Sequence, residues 1–580
     1  MQTRKPNGRI PSFNRDFLES RHHISCIGKG QFGGKGSGLV YVQEILEAHF
    51  DPAEFPQFDV AVPRMMVISS DVFDAFMQQN ELWDIALSEA PDERIAHAFL
   101  QGNLPSEIVG DLWALMAEMH TPLAIRSSSL LEDAMYEPFA GVYATKMTPN
   151  NQFDTTTRFH KLVEAIKYVY ASTYFQGAKA YFRGISNDIR EERMALVVQE
   201  VVGQRYGDRF YPMISGVARS YNFYPIGKEK PADGVVELAL GLGRTIVDEG
   251  ISWSYSPRYP RANAPYNTIN DLMKMTQNHF WAIQMGRVPG YDPVRETEYL
   301  FKAELPQAAV DKTLQLVASS YDYRSDRLFP GVIEGFPPIV TFAPLLQHNQ
   351  LALNDLVKHL LQMSQAAVGA PVEMEFALRC FPQEKRAEFG FLQLRPMVVS
   401  TEELTIREEE MTGGKVLAAS DKALGNGSST SICDVIYVKP DSFQKEMTTR
   451  IGLELDGLNR QLLEKGRHYL LMGFGRWGST DPWLGIPVDW GQINGTRAIV
   501  ESTLPEMNIE FSQGTHFFHN LTSFRVPYFF IHHDGNYRID WDWLDKQEVI
   551  QEAKFVKHVR LSSPLRIRVD GRTGRGVIEK

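Results

Sequence analysis

A chain of 580 residues is long enough for several domains, each with a sizeable core. Hydrophobic residues make up 43% and charged residues 23%, the balance of an ordinary globular protein, and a formal net charge of −11 argues against nucleic acid as the main partner. The three cysteines, Cys26, Cys380 and Cys433, are widely separated with no CxxC spacing, which argues against a zinc or disulfide framework and for a reducing compartment.

Residues 1–23 read as a polar lead-in. Its start, MQTRKPNGRIPSFNRDF, lacks the apolar core of a signal peptide. No apolar run approaches the ~18 residues that span a bilayer, so a cytoplasmic protein without a membrane partner is expected. The apolar run Ile24–Ile27 then reads as a strand, and six of the eleven residues from Gly28 to Gly38 are glycine. Leu39, Val42, Ile45 and Leu46 follow at helical spacing. Strand, glycine loop and helix together present backbone N–H groups to an anion. Lys35, flanked by Gly34 and Gly36, is the candidate phosphate contact; the alternative is a solvated loop lysine. The GxGxxG pattern is weak alone, and Gly36 stands where a Walker A loop has Ser or Thr.

Residues 40–120 are mostly helical in pattern and read as a covering layer. Pro122–Ile125 reads as a strand that delivers Arg126 at its end. A guanidinium forks onto phosphate oxygens, and Ser127, Ser128 and Ser129 add donors. The same serines also fit an N-cap run, since SSLLED matches a capping box. Residues 157–184 look helical. RMALVVQEVVG gives a strand ending in Gln199 and Glu200, either a nucleotide contact or simply a core strand. GVVELALGLGRT places Glu237 on a strand before a glycine turn. Residues 266–330 read as helical with mixed charges and no site. FPPIVTFAPLL suggests a strand and turn, followed by the helix LNDLVKHLLQMSQAA.

Residues 371–399 read as two strands around a polar turn. In the first, Val372, Met374, Phe376 and Leu378 alternate with Glu373, Glu375, Ala377 and Arg379. Glu373 and Glu375 therefore share a face, roughly 6–7 Å apart. Gln393 and Arg395 share a face of the returning strand, which Pro396 ends or places at an edge. Two carboxylates on a rigid strand beside an amide and a guanidinium can hold Mg²⁺ and a polyphosphate. An ordinary half-solvated strand carries the same residue types.

Taken in order, GGKGSGL (33–39), AIRSSSLLEDAMYEPFAGVY (124–143), VVQEVV (197–202), ISGVARS (214–220), ELALGLGRTIVDEG (237–250) and EMEF…FLQLRPM (373–397) resemble one family. It is the ATP-grasp nucleotide-binding region of phosphoenolpyruvate synthase and pyruvate phosphate dikinase. The resemblance implies an α/β (α+β) fold with an ATP-grasp region over residues 1–400. It implies ATP and Mg²⁺ as cofactors, with Lys35 and Arg126 gripping phosphates. Glu373 and Glu375 would hold the metal, with Gln393 and Arg395 as the family's Gln-x-Arg pair. Glu373 stands where the family more often has Asp, one methylene shorter.

After residue 400, TEELTIREEEMTGG reads as a linker (401–414), and residues 415–580 resemble a smaller, divergent swivelling phosphohistidine domain. Gly514-Thr515-His516 falls on that domain's histidine motif, with Pro527 eleven residues later. His516 is thus the candidate phosphoryl carrier, imidazole being a good transient nucleophile. Ser512-Gln513 replace the family's paired glycines, Phe517-Phe518 its small residues, and His519 is a rival carrier or orienting partner. Arg476, Trp477, Asp481 and Trp483 form either an acceptor pocket or a rigid packed loop. Arg566, Arg568, Arg572 and Arg575, on a hairpin with an Asp-Gly turn, read as a solvated face or a site for an anionic partner. No counterpart of the family's pyruvate-binding barrel is expected in this sequence, and pyruvate is not the expected acceptor.

The expectation is a Mg-ATP-dependent phosphotransferase passing phosphate through His516 to a small-molecule or protein acceptor. The rivals are a direct ATP-grasp kinase or ligase, and a nucleotide-binding regulatory or scaffold protein without turnover.

Overall fold

The computed structural model describes residues 10–13, 23–129, 142–185, 188–222, 229–247, 251–261, 272–273, 276–286, 290–397, 404–425, 427–479, 483–505, 507, 521, 526–571 and 573–580. Apolar runs such as Met65–Ile68 and the first five residues of Met194–Glu200 become strands buried on both faces. They lie inside a five-stranded sheet ordered Ile24–Ile27, Met65–Ile68, Met194–Glu200, Leu123–Ser129, Thr145–Thr148. Only the first pair is parallel. Met66, Ile68, Leu196 and Val198 point into a helical layer led by Phe73, Phe76, Phe99, Tyr170 and Tyr174. Met65, Val67 and Val197 point the other way, onto Leu39, Val42 and Ile45 of the helix Gly33–His49.

That helix also packs on a second, six-stranded sheet. Its order is Trp253–Tyr255, Val235–Ala239, Ile214–Arg219, Val372–Phe381, Arg386–Pro396, Phe58–Ala61. The alternation expected in the 371–399 hairpin is present: Val372, Met374, Phe376 and Leu378 enter the core shared with the helix. The strand Arg386–Pro396 ends at Pro396 and is an interior strand.

Ser127–Ser129 continue the strand Leu123–Ser129 and are buried, and residues 130–141, where the capping box would open a helix, lie outside the described residues. One local expectation is corrected. The region read as helical over 266–330 is mainly β in its described part: His279–Gln284, Leu300–Glu304, Ala318–Asp322 and Arg327–Pro330 are strands, joined by the short helix Leu305–Val310. Phe280 and Ala282 are buried while His279 and Trp281 are not, a two-residue period hidden among mixed charges.

The C-terminal unit is a nine-stranded sheet whose centre, Gly427–Val438, Tyr469–Phe474, Thr496–Ser502 and Tyr528–Ile531, is parallel. Within the expected linker, Ile406 and Met411 are buried against Ala419 and Val577 of this sheet. Of the hairpin arginines, Arg566 is exposed as expected, whereas two others are tied up within the chain. Arg568 is buried and pairs with Glu410 and Glu579, and Arg575 pairs with Glu408, so their anionic partner is the chain itself. Arg572 lies outside the described residues.

The C-terminal unit shares its apolar core with the N-terminal helical layer: Ile436, Ile451, Leu455, Tyr469 and Trp477 cluster with Phe73 and Tyr174. Asn494 Nδ2 donates to the Ala180 carbonyl at 2.8 Å, and a Cβ on Gly491 would lie 2.6 Å from that of Ala180. Among the described residues, no helix is long and apolar enough to cross a membrane.

Candidate nucleotide-binding site

Arg126 is the point where the two N-terminal sheets meet. It sits on the strand Leu123–Ser129, and its side chain crosses to the hairpin of the second sheet. Nη1 donates to the Leu392 carbonyl at 2.8 Å, and Nη2 donates to Gln393 Oε1 at 2.9 Å and to Glu375 Oε2 at 3.4 Å. Gln199, opposite Ala124 in the neighbouring strand, reaches the same guanidinium with its Oε1 at 3.5 Å. Its Nε2 is buried and has no hydrogen-bond partner among the described residues.

On the second sheet, cross-strand register sets charges in a row. Arg395, Glu373 and Arg219 stand side by side on three adjacent strands. Arg395 donates to Glu373 Oε1 at 2.6 Å, and Arg219 donates to Glu373 Oε2 at 2.7 Å and to Glu237 at 2.7 Å. Burial alone would lower the Arg219 pKa, but Glu373 and Glu237 outweigh it and keep the guanidinium charged. Glu375 differs from Glu373. It is the more exposed of the two, and its guanidinium contacts are long, 3.3 Å to Arg395 and 3.4 Å to Arg126.

The glycine segment is shorter as a loop than expected, because the helix begins at Gly33 and Lys35 lies in its first turn, buried. Gly33 has φ +68°, and a Cβ there would fall 1.5 Å from the Ser128 carbonyl oxygen, so only glycine allows this approach. The Ser128 hydroxyl accepts from Gly36 N–H at 2.9 Å and donates to the Phe32 carbonyl at 2.7 Å, bridging the first turn of the helix. Ser128 and Arg126 are two apart on one strand and share a face. The helix start bearing Gly34, Lys35 and Gly36 is thereby fixed beside Arg126.

The loop amides before the helix are not offered to an anion. Asp71 accepts from Lys29 and Gly30 N–H at 2.9 Å each, and Ser70 from Gln31 N–H. Burial raises the Asp71 pKa, but the hydrogen bonds from Ser69, Lys29 and Gly30 outweigh it and hold the carboxyl below its ordinary value.

Arg126, Gln199, Glu373, Glu375, Gln393 and Arg395 thus form one hydrogen-bonded cluster, with Lys35 attached through the helix. His516, His519 and Asp481 lie outside the described residues. Trp477 is buried in the shared core, so of the two readings of its loop the packed one holds for this side chain, whereas Trp483 is exposed. Arg219 and the Asp71 anchor went unassigned in the sequence. A lone arginine closing the apolar run ISGVA was the available signal for the first.

Residues 29–413 match the family model described as pyruvate phosphate dikinase, AMP/ATP-binding domain, about two-thirds of the chain. The chain belongs to this family. Every residue of the cluster falls inside the dikinase-family region. A Bacillus subtilis (strain 168) protein described as uncharacterized phosphotransferase YvkC is 25% identical over 191 residues, 33% of this chain. The aligned stretch spans 20% of that protein's length.

Proposed function

We propose that the chain is a Mg-ATP-dependent phosphotransferase of the phosphoenolpyruvate synthase and pyruvate phosphate dikinase type. The convergence of Arg126, Gln199, Glu375 and Gln393 from two sheets on one point carries this reading, because phosphoryl transfer is catalysed mainly by positioning and charge neutralisation. Arg126 grips the polyphosphate together with Lys35 and Arg395, exchanging its long contact to Glu375 for phosphate oxygens. The buried Nε2 of Gln199 is a donor for the nucleotide.

For Mg²⁺ the two carboxylates fit unequally. Glu375 is partly exposed and loosely paired, so it fits a metal ligand shared with phosphate oxygens and water. Glu373 already has both oxygens on guanidinium groups, and it acts as the anchor that orients Arg395. When bound, the ion neutralises charge on the phosphates. His516 then serves as the transient phosphoryl carrier, and the acceptor is a small molecule or protein.

Binding without turnover is the second reading. It is favoured by the self-neutralised cluster, in which Arg126, Arg219 and Arg395 already face Glu237, Glu373 and Glu375. Incubation with Mg-ATP while following nucleotide products separates the readings. AMP with phosphate, lost in His516→Ala, supports the histidine route. ADP with no loss in His516→Ala means direct transfer. No product, with nucleotide binding retained, means a sensor.

A further inference from the structure

The last parallel strand of the C-terminal sheet, Tyr528–Ile531, runs directly into His532, His533 and Asp534. In open sheets with parallel strands, ligands collect outside the carboxyl ends of those strands. Three such ends lie together here, because Phe474, Ser502 and Ile531 close neighbouring strands in register. The three side chains offer two imidazole nitrogens and a carboxylate oxygen within 4.8 Å of one another, the only such group of three among the described residues. None of them belongs to the region matched by the family model.

The surroundings hold this group in place. Thr503, the first residue beyond the strand Thr496–Ser502, lies across from His533: its Oγ1 accepts from the His533 backbone N–H at 2.9 Å and sits 3.0 Å from His533 Nδ1. With Nδ1 held by the hydroxyl, Nε2 of His533 is the nitrogen left for coordination, and it already lies 3.1 Å from Asp534 Oδ2. The His532 ring lies against that of His533, with centroids 4.4 Å apart. The Asp534 N–H reaches His532 Nδ1 at 3.2 Å, a long contact that a metal bound to this imidazole would displace.

From this geometry we infer that His532, His533 and Asp534 form a binding site for a divalent transition-metal ion of the zinc class, with Thr503 as the outer partner that fixes the His533 tautomer. Two imidazoles and one carboxylate suit Zn²⁺ and its neighbours and not Mg²⁺. Three protein ligands leave a tetrahedral ion one position for water or an anion. A hydrogen bond to the second ring nitrogen is what such ligands ordinarily carry, and losing it costs about 10–100-fold in metal affinity.

The test is calorimetric titration of the full-length chain with Zn²⁺ after chelator treatment, without nucleotide, so that the result is independent of the phosphotransferase reading. One ion per chain is expected for the parent. The affinity should fall by at least about 100-fold in His532→Ala/His533→Ala, and by about 10-fold in Thr503→Val, the range for an outer partner. Asp534→Ala guards against misfolding, because that side chain is 80% exposed and its removal leaves the packing untouched. It should weaken binding as well. A parent that binds no Zn²⁺, or an Asp534→Ala variant that binds as tightly as the parent, overturns the site.

Discussion

Arg219 and Glu373 form a buried ion pair at 2.7 Å, at the centre of a row that runs from Arg395 through Glu373 and Arg219 to Glu237. Removing one member of such a pair leaves an uncompensated buried charge, a loss of about 3–5 kcal/mol. Arg219→Ala leaves Glu237 without this guanidinium and Glu373 with that of Arg395. Its stability in urea is expected to fall by that amount, and Arg219→Met/Glu237→Met, which keeps the Arg395–Glu373 pair, should recover part of the loss. A stability equal to the parent's would remove Arg219 from the framework of the site.

Arg126 stands in a different position. It is partly exposed, and Glu375 retains Arg395 as a partner when Arg126 is gone. Arg126→Ala should therefore cost only about 1–3 kcal/mol of stability, from the donors that the Leu392 carbonyl and the Gln393 amide oxygen lose, while lowering the rate of ATP consumption by about 100- to 1,000-fold, the scale for one preorganised donor. Full ATP use by this variant would mean that the cluster is not the phosphate clamp.

The two hairpin carboxylates are expected to separate in a magnesium titration. Glu375→Gln should raise the Mg²⁺ concentration needed for half-maximal ATP use. Glu373→Gln should instead destabilise the fold, because both of its oxygens are tied to arginines. Equal shifts in magnesium requirement, with no loss of stability in Glu373→Gln, would restore the pair to equal roles.

The hairpin was legible because its alternation is regular and because strand geometry alone decides which side chains share a face. That told which carboxylates sit together, but not that Arg219 lies between Glu373 and Glu237, since cross-strand register is a long-range property. The same limit hid Asp71: its hold on the Lys29 and Gly30 amides spans some forty residues of chain. Glycine weakens helices, so the glycine cluster reads as a loop, yet Gly33, Gly36 and Gly38 lie in a helix. The close approach to the Ser128 carbonyl is what requires glycine at Gly33. The strands within 266–330 are not legible because their outward charges break up a two-residue period.

Ser128 supplies a further measurable link between fold and site. Its hydroxyl satisfies both Gly36 N–H and the Phe32 carbonyl, so Ser128→Ala leaves two backbone groups of the first helical turn without that partner. The expected cost is about 1–2 kcal/mol, the scale of a lost helix cap. Lys35 rides on that turn, so the KM for ATP should rise more than kcat falls. A change in kcat alone would place the helix start away from the bound phosphates.

In the C-terminal unit, Asp434 accepts from His558 at 2.9 Å, from Arg560 at 3.1 Å and from Arg467 at 2.7 Å. Burial would raise its pKa, but those hydrogen bonds outweigh it and hold the carboxyl at about 2, against an ordinary 3.8. A folded-state pKa below the unfolded one contributes stability that is fully present above the unfolded value and lost as pH falls through the folded one. Asp434→Asn should therefore be less stable than the parent at pH 7. The gap between the two should narrow as pH drops from about 4 toward 2, the interval bounded by the two values. Urea denaturation at a series of pH values reads this directly. A gap that stays constant over that interval would mean that the carboxylate's charge contributes nothing to holding the strands Gly427–Val438 and Val556–Asp570 together.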